Sequence, residues 1–209
     1  MEFLLIPIFA VAFMFLNRVR GGGYSKIPRG KEVASVGFGL AVGIATLDPI
    51  SAVLCGGLYR IGAMWSWGQW VGASPHFGDD SWQGQYNEKL LPKRDGRDSG
   101  IHFIVSRFVD QRKDFTRYCR ACLFLRGIWW FAPVYAALAM SVDMNPLVAI
   151  AATLAAGVTM PLAYSIGGKT GKGYWGNGEK IYGAFYGAIL GLSLLFVGKG
   201  MNVAILLQL

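Results

Sequence analysis

Six long apolar runs, separated by polar connections, constrain this chain more than any other feature. They span residues 3–16, 33–47, 50–71, 121–142, 147–166 and 181–197. Most approach the ~20 residues a helix needs to cross a ~30 Å hydrocarbon core. A soluble core has no need to gather its apolar residues into such runs. Composition points the same way: 54% of the 209 residues are hydrophobic and only 15% charged, against about 25% charged in soluble domains. The expected fold is therefore all-α, one transmembrane helical domain over residues 1–209 with six spans. A soluble helical protein would require several shorter runs to be buried core helices.

Charge sets the expected orientation. Residues 74–120 form the longest polar stretch and carry nine of the 20 Lys and Arg; the connections after the first and fifth runs carry five and three. Arg60 and Arg126 fall inside runs, leaving Lys199 alone on the other side. Basic residues collect in cytoplasmic loops, so both termini are expected outside. The first run reads as a span, not a signal peptide, because its basic residues follow it and no small-residue cleavage site appears. The net charge of +8 comes with no recognisable nucleic-acid module, so anionic lipid is the expected counterpart. The site expected for this fold is the inner membrane of a bacterium.

Local patterns fill in the connections. Ile101, Ile104, Val105, Phe108 and Val109 recur at helical spacing with Arg107, Asp110, Arg112 and Lys113 largely opposite. That spacing predicts an amphipathic cytoplasmic helix running into the fourth span. Asp114 and Arg117 stand as an i,i+3 charge pair. Asp48-Pro49 and Asp143-Met144-Asn145-Pro146 predict short external turns. Gly39 and Gly43, and then Gly183, Gly187 and Gly191, fall every fourth residue, a pattern that lets helices approach closely. The three cysteines, Cys55, Cys119 and Cys122, make no disulfide framework and read as reduced thiols.

Candidate binding residues come from charge placed in apolar surroundings. Arg60 lies near the middle of the third run, where a charge costs at least ~2.5 kcal/mol and usually marks a ligand or partner. The alternative is that it snorkels toward a belt at Trp65, Trp67 and Trp70. Arg126 lies about five residues inside the fourth span, beside Trp129 and Trp130. The segment GGKTGKGYWGNGEK, residues 167–180, reads as a basic glycine-rich loop. Its successive glycines suit an anion-binding nest carrying Lys169 and Lys172, with Trp175 and Glu179 completing the set. Cys119-Arg120-Ala121-Cys122 supplies at most two of the four ligands zinc wants, and His76, Asp79, Asp80 and His102 show no catalytic spacing. No metal, no cofactor and no catalytic residue is assigned.

The leading expectation is a small membrane protein that binds or regulates another membrane protein, a second copy of itself or anionic lipid through its basic cytoplasmic face. Its size resembles that of accessory or phage-encoded factors. An enzyme or carrier acting on a phosphorylated lipid is the alternative. An oligomeric channel or pore is the third reading, although the fifth and sixth spans carry almost no polar stripe.

Overall fold

Two of the helices begin with the same local device, and it sets the layout at one end of the molecule. Leu47 adopts a left-handed conformation (φ 55°) and ends one helix. Asp48 then accepts hydrogen bonds from the backbone N–H groups of Ile50 and Ser51 at 3.3 and 2.8 Å, capping the next helix, whose first residue is Pro49. Asn145 accepts from the Leu147 N–H at 2.9 Å ahead of Pro146 in the same way. Proline suits this position because its missing N–H would have had no helical partner. Turn and helix start are thus one motif, used twice.

The computed structural model describes residues 2–20, 29–68, 104–110, 113–170 and 174–197. After a 3-10 turn at Glu2–Leu4 come α1 (Leu5–Arg20), α2 (Gly30–Thr46), α3 (Pro49–Gly68), α4 (Phe115–Ser141), α5 (Pro146–Thr170) and α6 (Tyr174–Leu194). Among the described residues there is no strand, so the fold is all-helical. Two segments are long and apolar enough to cross a membrane, Arg120–Ser141 within α4 and Pro146–Gly167 within α5. Leu5–Val19 in α1 is apolar but shorter.

Each helix packs on the next in sequence, and α6 packs on α1, so the bundle closes into a ring. Glycines set the closest approaches. A Cβ on Gly183, Gly187 or Gly191 would press on the backbone of Phe13, Phe9 or Leu5, which places α6 antiparallel and backbone-to-backbone against α1. Gly39 of α2 meets Gly56 and Ala52 of α3 in the same manner. Small residues at such contacts let dispersion forces act between whole helices.

Aromatic side chains fill the ring. Phe38 stacks on Tyr59 with centroids 4.4 Å apart, and Phe131 meets Tyr186 at 4.8 Å. Phe13, Trp130 and Tyr182 complete a continuous aromatic core. The outer faces are apolar as well. Ile8, Val11 and Phe15 on α1, Val36, Leu40 and Ile44 on α2, and Ile150, Leu154, Val158 and Leu162 on α5 are all exposed.

The segment before α4 departs from expectation. Within residues 104–110 only Ile104–Ser106 is helical, and Phe108 is exposed while Val105 is buried. It does not run into α4, because Asp114 takes a non-helical conformation and caps that helix. Its carboxylate accepts from the Arg117 backbone N–H at 2.9 Å, so the pair works as a cap. The charge pair found here is Lys113 with Asp110, 4.0 Å apart and exposed.

Candidate functional site

Asn17 is the last of three residues on one face of α1, following Phe9 and Phe13 at four-residue spacing, and all three are buried. Because that face looks into the ring, its amide must find partners inside. Asn17 Nδ2 donates to the backbone oxygen of Glu179 at 2.6 Å and to its Oε2 at 2.9 Å. The Tyr164 hydroxyl donates to Glu179 Oε1 at 2.7 Å. On its other side, Asn17 Oδ1 accepts from the Tyr59 hydroxyl at 3.5 Å, and that hydroxyl lies 3.1 Å from the hydroxyl of Tyr186. A chain of polar groups therefore links α5, α6, α1 and α3 through the interior. Buried polar groups persist when they are partnered in this way.

Local packing holds the chain in register. Gly178 leaves room for the ring of Tyr164, since a Cβ there would lie 2.5 Å from it. Trp130 Nε1 donates to the Tyr59 carbonyl oxygen at 3.1 Å, and Gly62 opens the slot for its indole. Arg126 is fully buried, and Glu179 keeps only 2% of its surface. Each lies one turn nearer the same end of the bundle than Trp130 and Tyr182, whose rings stand 6.2 Å apart. Two sequence-predicted binding residues, Arg126 and Glu179, thus share the interior. Ionisable side chains there are costly and usually mark function.

Arg60 stands elsewhere. The antiparallel register of α2 and α3 brings it level with the first turn of α2, where its Nη2 donates to Glu32 Oε1 at 2.6 Å. That hydrogen bond holds the Glu32 carboxyl below its ordinary value of 4.5. Arg60 lines an outer groove between α2 and α3, and its Nη1 is buried with no hydrogen-bond partner among the described residues. Arg60 and Arg126 therefore do not converge on one ligand.

Over the described residues, the glycine-rich segment is helical. Residues 167–170 belong to α5 and residues 174–180 to α6, which places Lys169 in the last turn of one helix and Trp175 in the first turn of the next. Helical N–H groups bond within their own helix beyond the first turn, so no extended nest of glycine amides forms over these residues. Lys172 lies outside the described residues. Trp65 falls on α3. His76, Asp79, Asp80 and His102 also lie outside them, and Cys122 is buried on α4.

Asn17, Tyr59, Tyr164, Tyr186 and Glu32 were not singled out from the sequence. Only Asn17 carried a signal, as a polar residue continuing the Phe9–Phe13 stripe. No protein-family model matches this chain, and neither does any curated protein or solved structure.

Proposed function

We propose that this chain is a six-span integral membrane protein, of the bacterial inner-membrane type, whose basic cytoplasmic face binds anionic lipid or another membrane protein. One observation supports the membrane reading: the outer faces of the bundle are apolar, while an amide and two ionisable side chains lie inside its aromatic core. Valine, leucine, isoleucine and phenylalanine point outward along α1, α2, α3 and α5. Asn17, Arg126, Glu179 and the tyrosines point inward. In water that exterior would be an apolar patch far beyond the few hundred Å² a soluble monomer tolerates, whereas hydrocarbon solvates it. The one-sided distribution of Lys and Arg supports the orientation and the choice of anionic counterpart.

The aromatic packing argues against a pore through one chain, because Phe38, Tyr59, Phe131 and Tyr186 meet across the middle of the ring. An enzyme or carrier handling a lipid phosphate is the second reading. It is favoured by the arginine and the carboxylate enclosed at one end of the bundle.

Two measurements test the proposal. Reporter fusions at residues 17–31, Asn87 and Thr170 are expected to report cytoplasm, and fusions at Met144 and Leu209 the outside. An external Asn87 overturns the orientation. Native mass spectrometry of the purified protein is expected to find retained anionic phospholipid or a second protein chain. A bare monomer under gentle detergent refutes the binding reading.

A further inference from the structure

The groove between α2 and α3 joins apolar walls to a charged end. Val36 and Leu40 from one helix and Val53 from the other make its walls apolar. Gly57 also lines it, and nothing stands within 4 Å of where a Gly57 side chain would begin. From Glu32 to Leu40 it runs about 12 Å along α2, at 1.5 Å rise per residue. Its volume is about 420 Å³, inside the ~300–1,000 Å³ typical of small-molecule sites.

One end of this apolar channel is cationic. Arg60 spends one arm of its guanidinium on Glu32 and leaves Nη1 without an acceptor among the described residues. The Arg60 side chain lines the groove and keeps 26% of its surface exposed, so a ligand there can reach the exposed part of its guanidinium. Arg29 and Lys31 flank the same first turn of α2 and outweigh the single Glu32 charge. An unmet guanidinium N–H in apolar surroundings is a standing cost, which an anionic oxygen removes.

We propose that this groove holds one acyl chain of an anionic phospholipid, whose phosphate accepts hydrogen bonds from Arg60. The inference rests on the membrane reading given above. A phospholipid is the occupant whose two chemistries, phosphate and hydrocarbon, match the two ends of the groove. A partner helix, ~10–12 Å across, would fill the apolar part but leave the guanidinium unmet unless it brought its own acid. The excess of basic groups at the phosphate end selects lipids with net negative charge over zwitterionic ones.

The test is native mass spectrometry of the full chain released from nanodiscs of equal dioleoylphosphatidylglycerol and dioleoylphosphatidylcholine. Wild type is expected to retain one phosphatidylglycerol with about tenfold preference, a difference of about 1.4 kcal/mol. Gly57→Leu projects into the groove from a position where nothing lies within 4 Å of the added Cβ, so it is expected to fold as wild type by circular dichroism and lose that lipid. Arg60→Met is expected to lose the preference for phosphatidylglycerol. Ala151→Leu, on the exposed face of α5, is expected to keep it. Retention by Gly57→Leu equal to wild type overturns the groove assignment while leaving the membrane reading intact. A wild-type protein with no preference between the two lipids overturns the anionic-lipid reading and the groove with it. A dimer mass that Gly57→Leu abolishes replaces the lipid by a second copy and also overturns the proposal.

Discussion

Replacing Gly187 by alanine tests whether α6 and α1 are held together by backbone contact. The added Cβ would press on the carbonyl oxygen of Phe9 and lie 2.8 Å from its carbonyl carbon and 2.9 Å from the Phe13 Cβ. Backbone atoms cannot rotate out of the way, so the two helices must part along the stripe that also includes Gly183 and Gly191. Overpacking of this kind costs up to ~3 kcal/mol. Alanine recovers ~1 kcal/mol of helix preference relative to glycine, leaving a net loss of ~2 kcal/mol. Gly57→Ala supplies the internal standard, because the same atoms are added where nothing lies within 4 Å. There only the helix preference operates, a gain of ~0.5–1 kcal/mol. The two substitutions therefore carry opposite signs. For a chain of this size each kcal/mol moves the melting temperature by ~2–4 °C, so Gly187→Ala is expected to melt ~4–8 °C lower and Gly57→Ala slightly higher. Thermal unfolding in lipid-free detergent, followed by far-ultraviolet circular dichroism, measures both without lipid binding in the comparison. A Gly187→Ala protein that melts at or above wild type refutes the close-contact account of the ring's closure.

Two further outcomes follow from the site and the turn. Tyr164→Phe removes the 2.7 Å hydrogen bond to Glu179 Oε1 and is expected to cost ~1.5–3 kcal/mol in the same unfolding measurement; an unchanged melting temperature would remove Tyr164 from the buried polar chain. Asp48 has its carboxyl lowered from 3.8, first by the Ser51 side-chain hydrogen bond, so its contribution is complete above that value and fades as pH falls through the lower folded value. Asp48→Asn is expected to flatten the loss of stability below about pH 4, and a variant as acid-sensitive as wild type would assign that loss to other carboxylates.

Helix positions were largely legible because they follow from neighbouring residues. The run at 33–47 became α2 at Gly30–Thr46, and the run at 147–166 became α5 at Pro146–Thr170. In both cases hydropathy identified the helix, and an Asx-Pro turn fixed the boundary nearest it. The start of α6 at Tyr174 lies earlier than hydropathy predicts, for a physical reason. Glycine's poor helix preference made residues 174–180 read as loop. Burial of Gly178 under Tyr164, together with the bonds of Glu179 to Asn17 and Tyr164, outweighs that preference. The single helical turn at Ile104–Ser106 shows the converse, since helical periodicity there was not enough to carry the chain past the Asp114 cap.

The candidate sites divide along the same line. Charge in apolar surroundings is visible in a sequence, so Arg60 and Arg126 could be named without coordinates, and Glu179 entered as part of the glycine-rich segment. Their partners could not. Glu32 is 28 residues from Arg60, and Asn17 is 162 residues from Glu179. Such separations carry no local pattern, and only the antiparallel register of α2 on α3 and of α1 on α6 brings the groups within bonding distance. The sequence alone determined that the chain would be helical and apolar, because these properties add residue by residue. Only the tertiary structure decided that Arg60 faces an outer groove while Arg126 faces the interior, because which side a helix turns inward depends on the glycine contacts that seat it against its neighbours.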